Sequence, residues 1–306
     1  MRTLMATDGS RDASLGLQAA SRLLRKADQR VGVVCVAPEF QLPSIRGGES
    51  SGKASRLKEK YERRLGRETD AIVQSALDML QGEGTTAERL TEIGSPPEVI
   101  VRIGEKYDLT VIGAKGHADQ TRLGLGPVAS RVLELSRRPV LIGRELTADK
   151  GLRILVGVDG SEASHRALNS MTEFIELGGS EITLIHIMET PWIHLGLEDE
   201  WVSYPEDNSG DSDPANQLQS EMRREAEVLI AEARKALARY DVSVETIIGE
   251  GNPGTEIVGQ AESDDYDLIV IGATGVSDVK HNVLGRVSTK VAWAAPCSVL
   301  VVKDVM

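Results

Sequence analysis

The stretch DLTVIGAKGHADQTRLGLG at residues 108–126 recurs as DLIVIGATGVSDVKHNVLG at residues 267–285. Both copies contain a short apolar run that ends in a glycine, and both carry the glycine spacing G-x2-G-x9-G. Many α/β folds hold phosphate groups at such a turn between strand and helix, because glycine lets backbone amides approach an anion. The stretch therefore predicts an α/β fold with a nucleotide site, and its recurrence predicts two copies of one domain.

The two copies stay in register over most of the chain. The segment MATDGS at residues 5–10 corresponds to VGVDGS at residues 156–161, at an offset of 151. From Gly113 onward the offset is 159, so the second half carries about eight additional residues in its middle. A chance motif would not keep register with its flanking apolar runs. We predict two domains, at residues 1–146 and 150–306, each of ordinary domain size.

Short apolar runs alternate with longer amphipathic segments in both halves, which is typical of parallel sheets covered by helices. Continuous apolar runs such as LIVI at 268–271 are typical of strands buried on both faces. The first helix is expected near 11–27. Strands are expected near 2–7, 31–37, 86–92, 108–113 and 139–143 in the first half, and near 153–158, 181–187, 242–248, 267–272 and 298–302 in the second.

The composition excludes several classes of partner. A formal charge of −12 over 306 residues argues against nucleic acid and anionic membranes. No apolar run approaches the roughly 20 residues that span a bilayer, and no signal peptide is recognisable before the first strand. Cys35 and Cys297 lie in apolar stretches without CxxC spacing, which indicates buried small hydrophobic residues rather than metal ligands or a redox pair. We expect a protein of the reducing cytoplasm, without membrane insertion.

The ends of two strands in each half carry the candidate ligand-binding groups. The first strand ends at Asp8 or Asp159, and the fourth ends at Gly113 or Gly272. If these strands are neighbours, the carboxylate and the glycine loop face one crevice, where ligands of open parallel sheets bind. The carboxylate could then accept a hydrogen bond from a base amino group or a ribose hydroxyl. Alternatively, Asp-Gly-Ser only turns the chain and caps a helix, and the glycines only relieve strain.

A metal site and a catalytic centre are not predicted. His186, Glu189, His194, Glu198 and Asp199 lie close in sequence, but their spacing matches no helix or hairpin ligand set. The chain contains no P-loop pattern G-x4-G-K-[ST], no H-E-x-x-H and no Ser-His-Asp order.

Three motifs together resemble a universal stress protein: Asp-Gly-Ser after the first strand, the G-x2-G-x9-G loop, and the closing segment PCSVLVV at 296–302. The resemblance covers nearly the whole chain as a tandem pair. It implies, in each half, a doubly wound parallel sheet of five strands in the order 3-2-1-4-5, the adenine nucleotide alpha hydrolase-like fold. It also implies the ATP-binding branch of the family, and hence ATP as ligand, with or without magnesium.

The resemblance assigns roles to residues in both halves. The aspartate after the first strand contacts adenosine, a backbone group on the second strand contacts the base, and the loop glycines with the residues that follow hold the phosphates. In the second half these positions are Asp159, Ile187, Gly272, Gly275, Gly285, Arg286, Ser288 and Thr289. In the first half they are Asp8, Val36, Gly113, Gly116, Gly126 and Ser130.

The halves depart from the family pattern directly after the last glycine, where the family has a serine and then a second hydroxyl two residues later. The second half has Arg286, which is either a phosphate cation or a solvated helix-start residue, and retains Ser288. The first half has Pro127, which lacks an amide donor, and Ala129, which lacks a hydroxyl. We therefore expect ATP chiefly in the second half.

The leading hypothesis is a cytoplasmic, ATP-binding regulator of the stress response. The alternatives are a protein-interaction module with vestigial nucleotide sites and a slow ATP hydrolase. Hydrolysis is expected to be slow at most, because the loops offer no strong general base and no paired carboxylates for magnesium. Expected partners are an adenine nucleotide and either a second copy, as in a dimer, or an unidentified protein.

Overall fold

The computed structural model describes residues 1–27, 29–39, 51–117, 124–146, 151–189, 214–275 and 284–303. The chain divides into two compact units, one built on Met1–Leu146 and the other on Thr147–Val302. Each unit contains its own five-stranded parallel sheet with two helices against each face.

The first unit alternates strands and helices along the chain. Its strands are β1 (Arg2–Ala6), β2 (Arg30–Ala37), β3 (Ala87–Ile93), β4 (Leu109–Gly113) and β5 (Val140–Gly143). Its helices are α1 (Arg11–Leu23), α2 (Ser51–Gly82), α3 (Pro96–Gly104) and α4 (Pro127–Leu135). All neighbouring strands are parallel, in the order β3-β2-β1-β4-β5.

The second unit repeats this arrangement. Its strands are β6 (Arg153–Gly157), β7 (Glu181–Met188), β8 (Ser243–Glu250), β9 (Leu268–Gly272) and β10 (Ser298–Val302). Its helices are α5 (Glu162–Phe174), α6 (Pro214–Leu237), α7 (Pro253–Ser263) and α8 (Arg286–Ala294). The strand order β8-β7-β6-β9-β10 is again 3-2-1-4-5, so the predicted fold class is confirmed.

Burial explains why the inner strands read as unbroken apolar runs. Every residue of β4 and the first four residues of β9 are buried, because helices cover both faces of the sheet. The outer strand β3 instead contains only exposed and half-buried positions. Both cysteines are buried, as their apolar surroundings predict. Within the described ranges, no helix has the length and apolar character needed to cross a membrane.

Candidate nucleotide-binding site

The aspartate and the glycine loop of each unit face one crevice, because the strands that carry them are neighbours. Strand β1 pairs with β4, and β6 pairs with β9. A Cβ atom on Gly275 would lie 3.0 Å from Oδ2 of Asp159, and one on Gly116 would lie 2.5 Å from Oδ2 of Asp8. The second glycine of each loop therefore lies directly against the carboxylate, with no room for a side chain.

In the second unit this crevice opens into a cavity of about 530 Å³. The cavity lies beyond the carboxyl ends of β6, β7 and β9, where the strand order reverses and open α/β sheets bind their ligands. The lining residues include seven of the positions that the resemblance singled out: Asp159, Ile187, Gly272, Gly275, Gly285, Arg286 and Ser288. Thr289 is not among them, and its hydroxyl donates to the carbonyl of Gly285 over 2.8 Å.

Asp159 uses its two carboxylate oxygens differently. Oδ1 accepts hydrogen bonds from the amide of Ser161 over 2.9 Å and from its hydroxyl over 2.6 Å. Ser161 in turn caps α5 by accepting from the amide of Ser164 over 3.1 Å. Oδ2 faces the glycine loop and receives no hydrogen bond from the described residues. The turn-and-cap role and a ligand-binding role are thus both open to this one side chain.

The start of α8 supplies backbone amides at the cavity wall. Gly285 is the N-cap, and the first amides of a helix have no acceptor within the helix itself. The buried hydroxyl of Ser288 lies 2.7 Å from the carbonyl of Ala273 and 3.0 Å from that of Gly285, so its proton is directed to the backbone. Ser288 therefore fixes α8 against the loop and can offer a ligand only an acceptor lone pair. The donors toward an anion are the helix amides and the exposed guanidinium of Arg286.

In the first unit the aspartate accepts hydrogen bonds both from its own turn and from the glycine loop. The residue of the second loop that corresponds to His117 is Val276, which lies outside the described residues. Oδ1 of Asp8 accepts from the amide of Ser10 over 3.0 Å, and Oδ2 accepts from the amide of His117 in the glycine loop, also over 3.0 Å. Helix α4 begins at Pro127 after the N-cap Gly126, so its first position has no amide hydrogen. The amide of Ser130 bonds the carbonyl of Gly126 within the helix, over 2.9 Å. Val36 lies half-buried on β2.

The first glycine of each loop has a packing role. A Cβ atom on Gly113 would lie 2.7 Å from Cα of Ala13 in α1, and one on Gly272 would lie 2.8 Å from the carbonyl carbon of Ala163 in α5. Both glycines therefore allow a helix to pack closely against the end of a strand, as third-position glycines of dinucleotide folds do. Gly272 also lines the cavity, so packing and ligand access share this position.

Several cavity residues were not singled out as nucleotide-binding positions. Met222, Ala226 and Leu229 come from α6, and Ile257 comes from α7. Their apolar spacing on a helix is the same signal that any core-facing helix gives, so no sequence feature distinguishes them. They supply an apolar wall opposite the polar loop, which is the usual composition of a small-molecule site.

From the sequence, His186 was a candidate only for a metal site, and no metal site was predicted. It lies on β7 and lines the cavity, with Nδ1 of its ring 2.7 Å from the carbonyl of Val158. Over the described ranges, no group of three or more histidine, cysteine, aspartate or glutamate side chains could hold a metal ion. His194, Glu198 and Asp199 lie outside the described residues.

The equivalent position on β2 is Cys35, at the same offset of 151 that relates the two first strands. Burial, together with the Asp8 carboxylate, raises the pKa of this thiol to about 11. Because the carboxylate of Asp8 acts on this thiol, a side chain at this position of the second strand lies near the aspartate that follows the first strand.

The chain contains two doubly wound domains in tandem. In each, an aspartate faces a glycine loop where the strand order reverses. This arrangement defines a class of α/β proteins whose crevices suit nucleotides. The family model described as "Universal stress protein family" matches residues 1–144 and again residues 152–303. The chain therefore belongs to the universal stress protein family, as a tandem pair of its domains.

Relatives with known sequences or structures agree with this family. The chain is 28% identical over 151 residues to universal stress protein YxiE of Bacillus subtilis, covering 49% of this chain and 98% of the relative. It is 25% identical over 225 residues to a universal stress protein of Mycolicibacterium smegmatis, covering 72% of this chain and 70% of the relative. The crystal structure of a universal stress protein from Archaeoglobus fulgidus covers 99% of this chain and 98% of its own, with a TM-score of 0.64 at 22% identity. That last likeness shows the fold alone.

Proposed function

We propose that the protein is an ATP-binding regulator of the stress response that holds its nucleotide chiefly in the second domain. The observation that carries this proposal is the cavity of about 530 Å³ into which Asp159 and the second glycine loop open. Small-molecule sites usually measure about 300–1,000 Å³, with apolar walls and a few directed polar groups. The cavity fits that description, and its polar groups suit the parts of an adenine nucleotide.

The nucleoside part is proposed to lie between β7 and α6. Met222, Leu229 and Ile257 offer apolar surface to a base, while Oδ2 of Asp159 can accept a hydrogen bond from a donor of the nucleoside. The backbone of Ile187 lies on the same wall and can contact the base, as the family resemblance implies.

The phosphates are proposed to lie along the glycine loop, at the start of α8. The amides of the first turn and the positive end of the helix dipole favour an anion there. Arg286 adds a guanidinium cation at the edge of the cavity, where a phosphate can accept two parallel hydrogen bonds. A magnesium ion, where present, would bind mainly through the phosphates.

The first domain is proposed to bind nucleotide weakly. Helix α4 begins with Pro127 where α8 begins with Arg286, so its first position has neither an amide hydrogen nor a cation for a phosphate. The loss of these two groups favours the second domain.

Two alternative functions would give experimental results that differ from those of simple ATP binding. A protein-interaction module with vestigial sites would bind its partner without nucleotide, and an ATP hydrolase would turn over. We favour binding without efficient turnover, in a dimer or with another protein. A cytoplasmic location also belongs to this proposal, since both thiols are buried and unpaired with each other.

The direct test is mass spectrometry of small molecules released from the purified, denatured full chain, followed by calorimetric titration of nucleotide-free protein with ATP. We expect ATP or ADP in the released fraction and close to one tight site per chain. Absence of both released nucleotide and binding heat would refute the proposal in favour of an interaction module. Phosphate release far above the uncatalysed rate would instead favour a hydrolase.

A further inference from the structure

His186 is held in the cavity wall with a defined arrangement of its two ring nitrogens. Nδ1 lies 2.7 Å from the carbonyl oxygen of Val158. A carbonyl oxygen can only accept a hydrogen bond, so Nδ1 must carry the hydrogen. In the neutral ring the other nitrogen, Nε2, then presents a lone pair and acts as an acceptor. No described residue donates to Nε2.

His186 and Asp159 lie on neighbouring strand ends of the same cavity. Strand β6 leads into Asp159, and β7, which carries His186, pairs with β6 in parallel register. The imidazole of His186 contacts the carbonyl of Val158, the residue directly before Asp159. Two side chains that line the cavity therefore each keep an acceptor to which no described residue donates, Oδ2 of Asp159 and Nε2 of His186.

A wall with such acceptors selects a ligand edge that carries hydrogen-bond donors. The exocyclic amino group of adenine provides two N–H bonds, and the ribose of ATP provides two hydroxyl groups. Guanine and hypoxanthine have a carbonyl oxygen in place of that amino group, which would set acceptor against acceptor. Leaving such groups unpaired in a site weakens binding more than losing an ordinary hydrogen bond.

We infer that His186 is a specificity-determining residue of the second domain. With Nδ1 fixed by Val158, its Nε2 accepts a hydrogen bond from a donor of the bound nucleoside, either the amino group of adenine or the 2′ hydroxyl of the ribose. This inference rests on the proposed nucleotide function. The first domain has no counterpart, because Cys35 at the same register offers a buried thiol instead of an imidazole.

The test uses two substitutions that separate the ring nitrogens. His186→Asn keeps an N–H near the position of Nδ1, which can still donate to Val158, but removes the acceptor at Nε2. His186→Gln keeps an amide oxygen close to the position of Nε2. Binding of ATP, ITP and 2′-deoxy-ATP to the full chain is measured by calorimetric titration, with Cys35→Ala as the matched control in the first domain.

We expect His186→Asn to weaken ATP about five- to tenfold, the effect of one hydrogen bond, and to leave the analogue without the relevant donor nearly unchanged. A reduced preference for ATP over ITP identifies the amino group as the donor, and a reduced preference over 2′-deoxy-ATP identifies the hydroxyl. His186→Gln should retain most of the wild-type preference, and Cys35→Ala should retain all of it.

Wild-type binding of ATP with both preferences unchanged in His186→Asn would overturn the inference and leave the proposed function intact. Failure of the wild-type chain to bind any of the three nucleotides would instead refute the proposed function. Thermal melts of each variant ensure that only folded protein is compared. If His186→Asn does not fold, the preferences of His186→Gln decide, because loss of preference with an acceptor still present contradicts the inference.

Discussion

The carboxylate of Asp159 combines local structure and ligand access within one side chain. Oδ1 stabilises the turn by accepting from Ser161, while Oδ2 faces the glycine loop. The sequence alone left these two roles as alternatives, because Asp-Gly-Ser is equally suited to a turn, a cap and a binding site. Only the three-dimensional separation of the two oxygens shows that one role does not exclude the other.

Asp159→Ala should therefore change both affinity and stability. We expect ATP binding to weaken by roughly 1.5–3 kcal/mol, since a hydrogen bond to a charged group is lost. We also expect a lower melting temperature, since the turn loses its acceptor. Ser161→Ala is the control: it removes the α5 cap and the hydroxyl bond to Oδ1, but it leaves Oδ2 and the amide bond to Oδ1 in place. It should lower the melting temperature and change ATP affinity much less than Asp159→Ala. Unchanged ATP affinity in Asp159→Ala would leave Asp159 with the turn role only.

Gly275 and Gly116 allow a second comparison at the residue scale. A Cβ atom at either position would press on the adjacent aspartate, at 3.0 Å and 2.5 Å respectively. Gly275→Val should abolish most ATP binding, because it fills the space between the loop and Asp159. Gly116→Val should lower stability and change ATP affinity little. Calorimetry and thermal melts of both variants test this, and loss of binding with Gly116→Val alone would reverse the assignment of the domains.

Cys35 gives a pH dependence whose sign follows from its raised pKa. The folded protein holds the thiol proton up to about pH 11, while the unfolded chain releases it near 9.0. The thiol's contribution to stability is therefore complete below pH 9 and is lost as the pH rises toward 11. Urea unfolding at pH 8 and pH 10.5 should show this decline, and Cys35→Val should reduce it. An equal decline in both proteins would assign it to other groups.

At the scale of elements, the sequence predicts which helices and strands exist, and in what order, better than it predicts where each one ends. The continuous apolar runs located the strands, because burial on both faces leaves no polar positions in them. Helix α1 was expected near 11–27 but ends at Leu23, since Leu24 turns into an extended conformation and is buried. The amphipathic pattern continues past this point and gives no stop signal. The cavity wall on α6 was missed for a related reason, because Met222 and Leu229 resemble core residues.

A single substitution can give the start of α8 the residue that begins α4. Arg286→Pro gives the second domain the first position of α4, where proline fits the helix geometry but lacks an amide. We expect ATP to bind at least about tenfold more weakly, since an amide and a cation are both removed from the phosphates. Adenosine, which has no phosphate, should bind with unchanged affinity. Equal losses for ATP and adenosine would place the phosphates elsewhere.

For the whole molecule, the two copies of one fold differ at residues of the candidate site. Both domains have the same strand order and the same pairing between aspartate and second glycine. The first domain has Pro127, Ala129 and Cys35 where the second has Arg286, Ser288 and His186. The first two differences were evident from the aligned halves. The third became meaningful only when the hydrogen bond of the imidazole to Val158 was known.

ATP should accordingly fill the chain in two stages. We expect the second site to saturate first, with the first site binding at least about tenfold more weakly, because Pro127 provides neither the amide nor the cation that Arg286 provides. Titration of the full chain beside Gly275→Val should resolve the stages, since the variant retains only the weak one. Two equivalent sites in the wild-type chain would contradict this asymmetry.

The proline that opens α4 has a consequence for how each domain responds to the concentration of ATP. A first domain that binds nucleotide weakly would gain little stability when ATP becomes abundant. The second domain would gain about 2.7 kcal/mol of stability at an ATP concentration of about 100 times its Kd. The stability of the first domain would then stay nearly constant, while that of the second would rise and fall with the concentration of ATP.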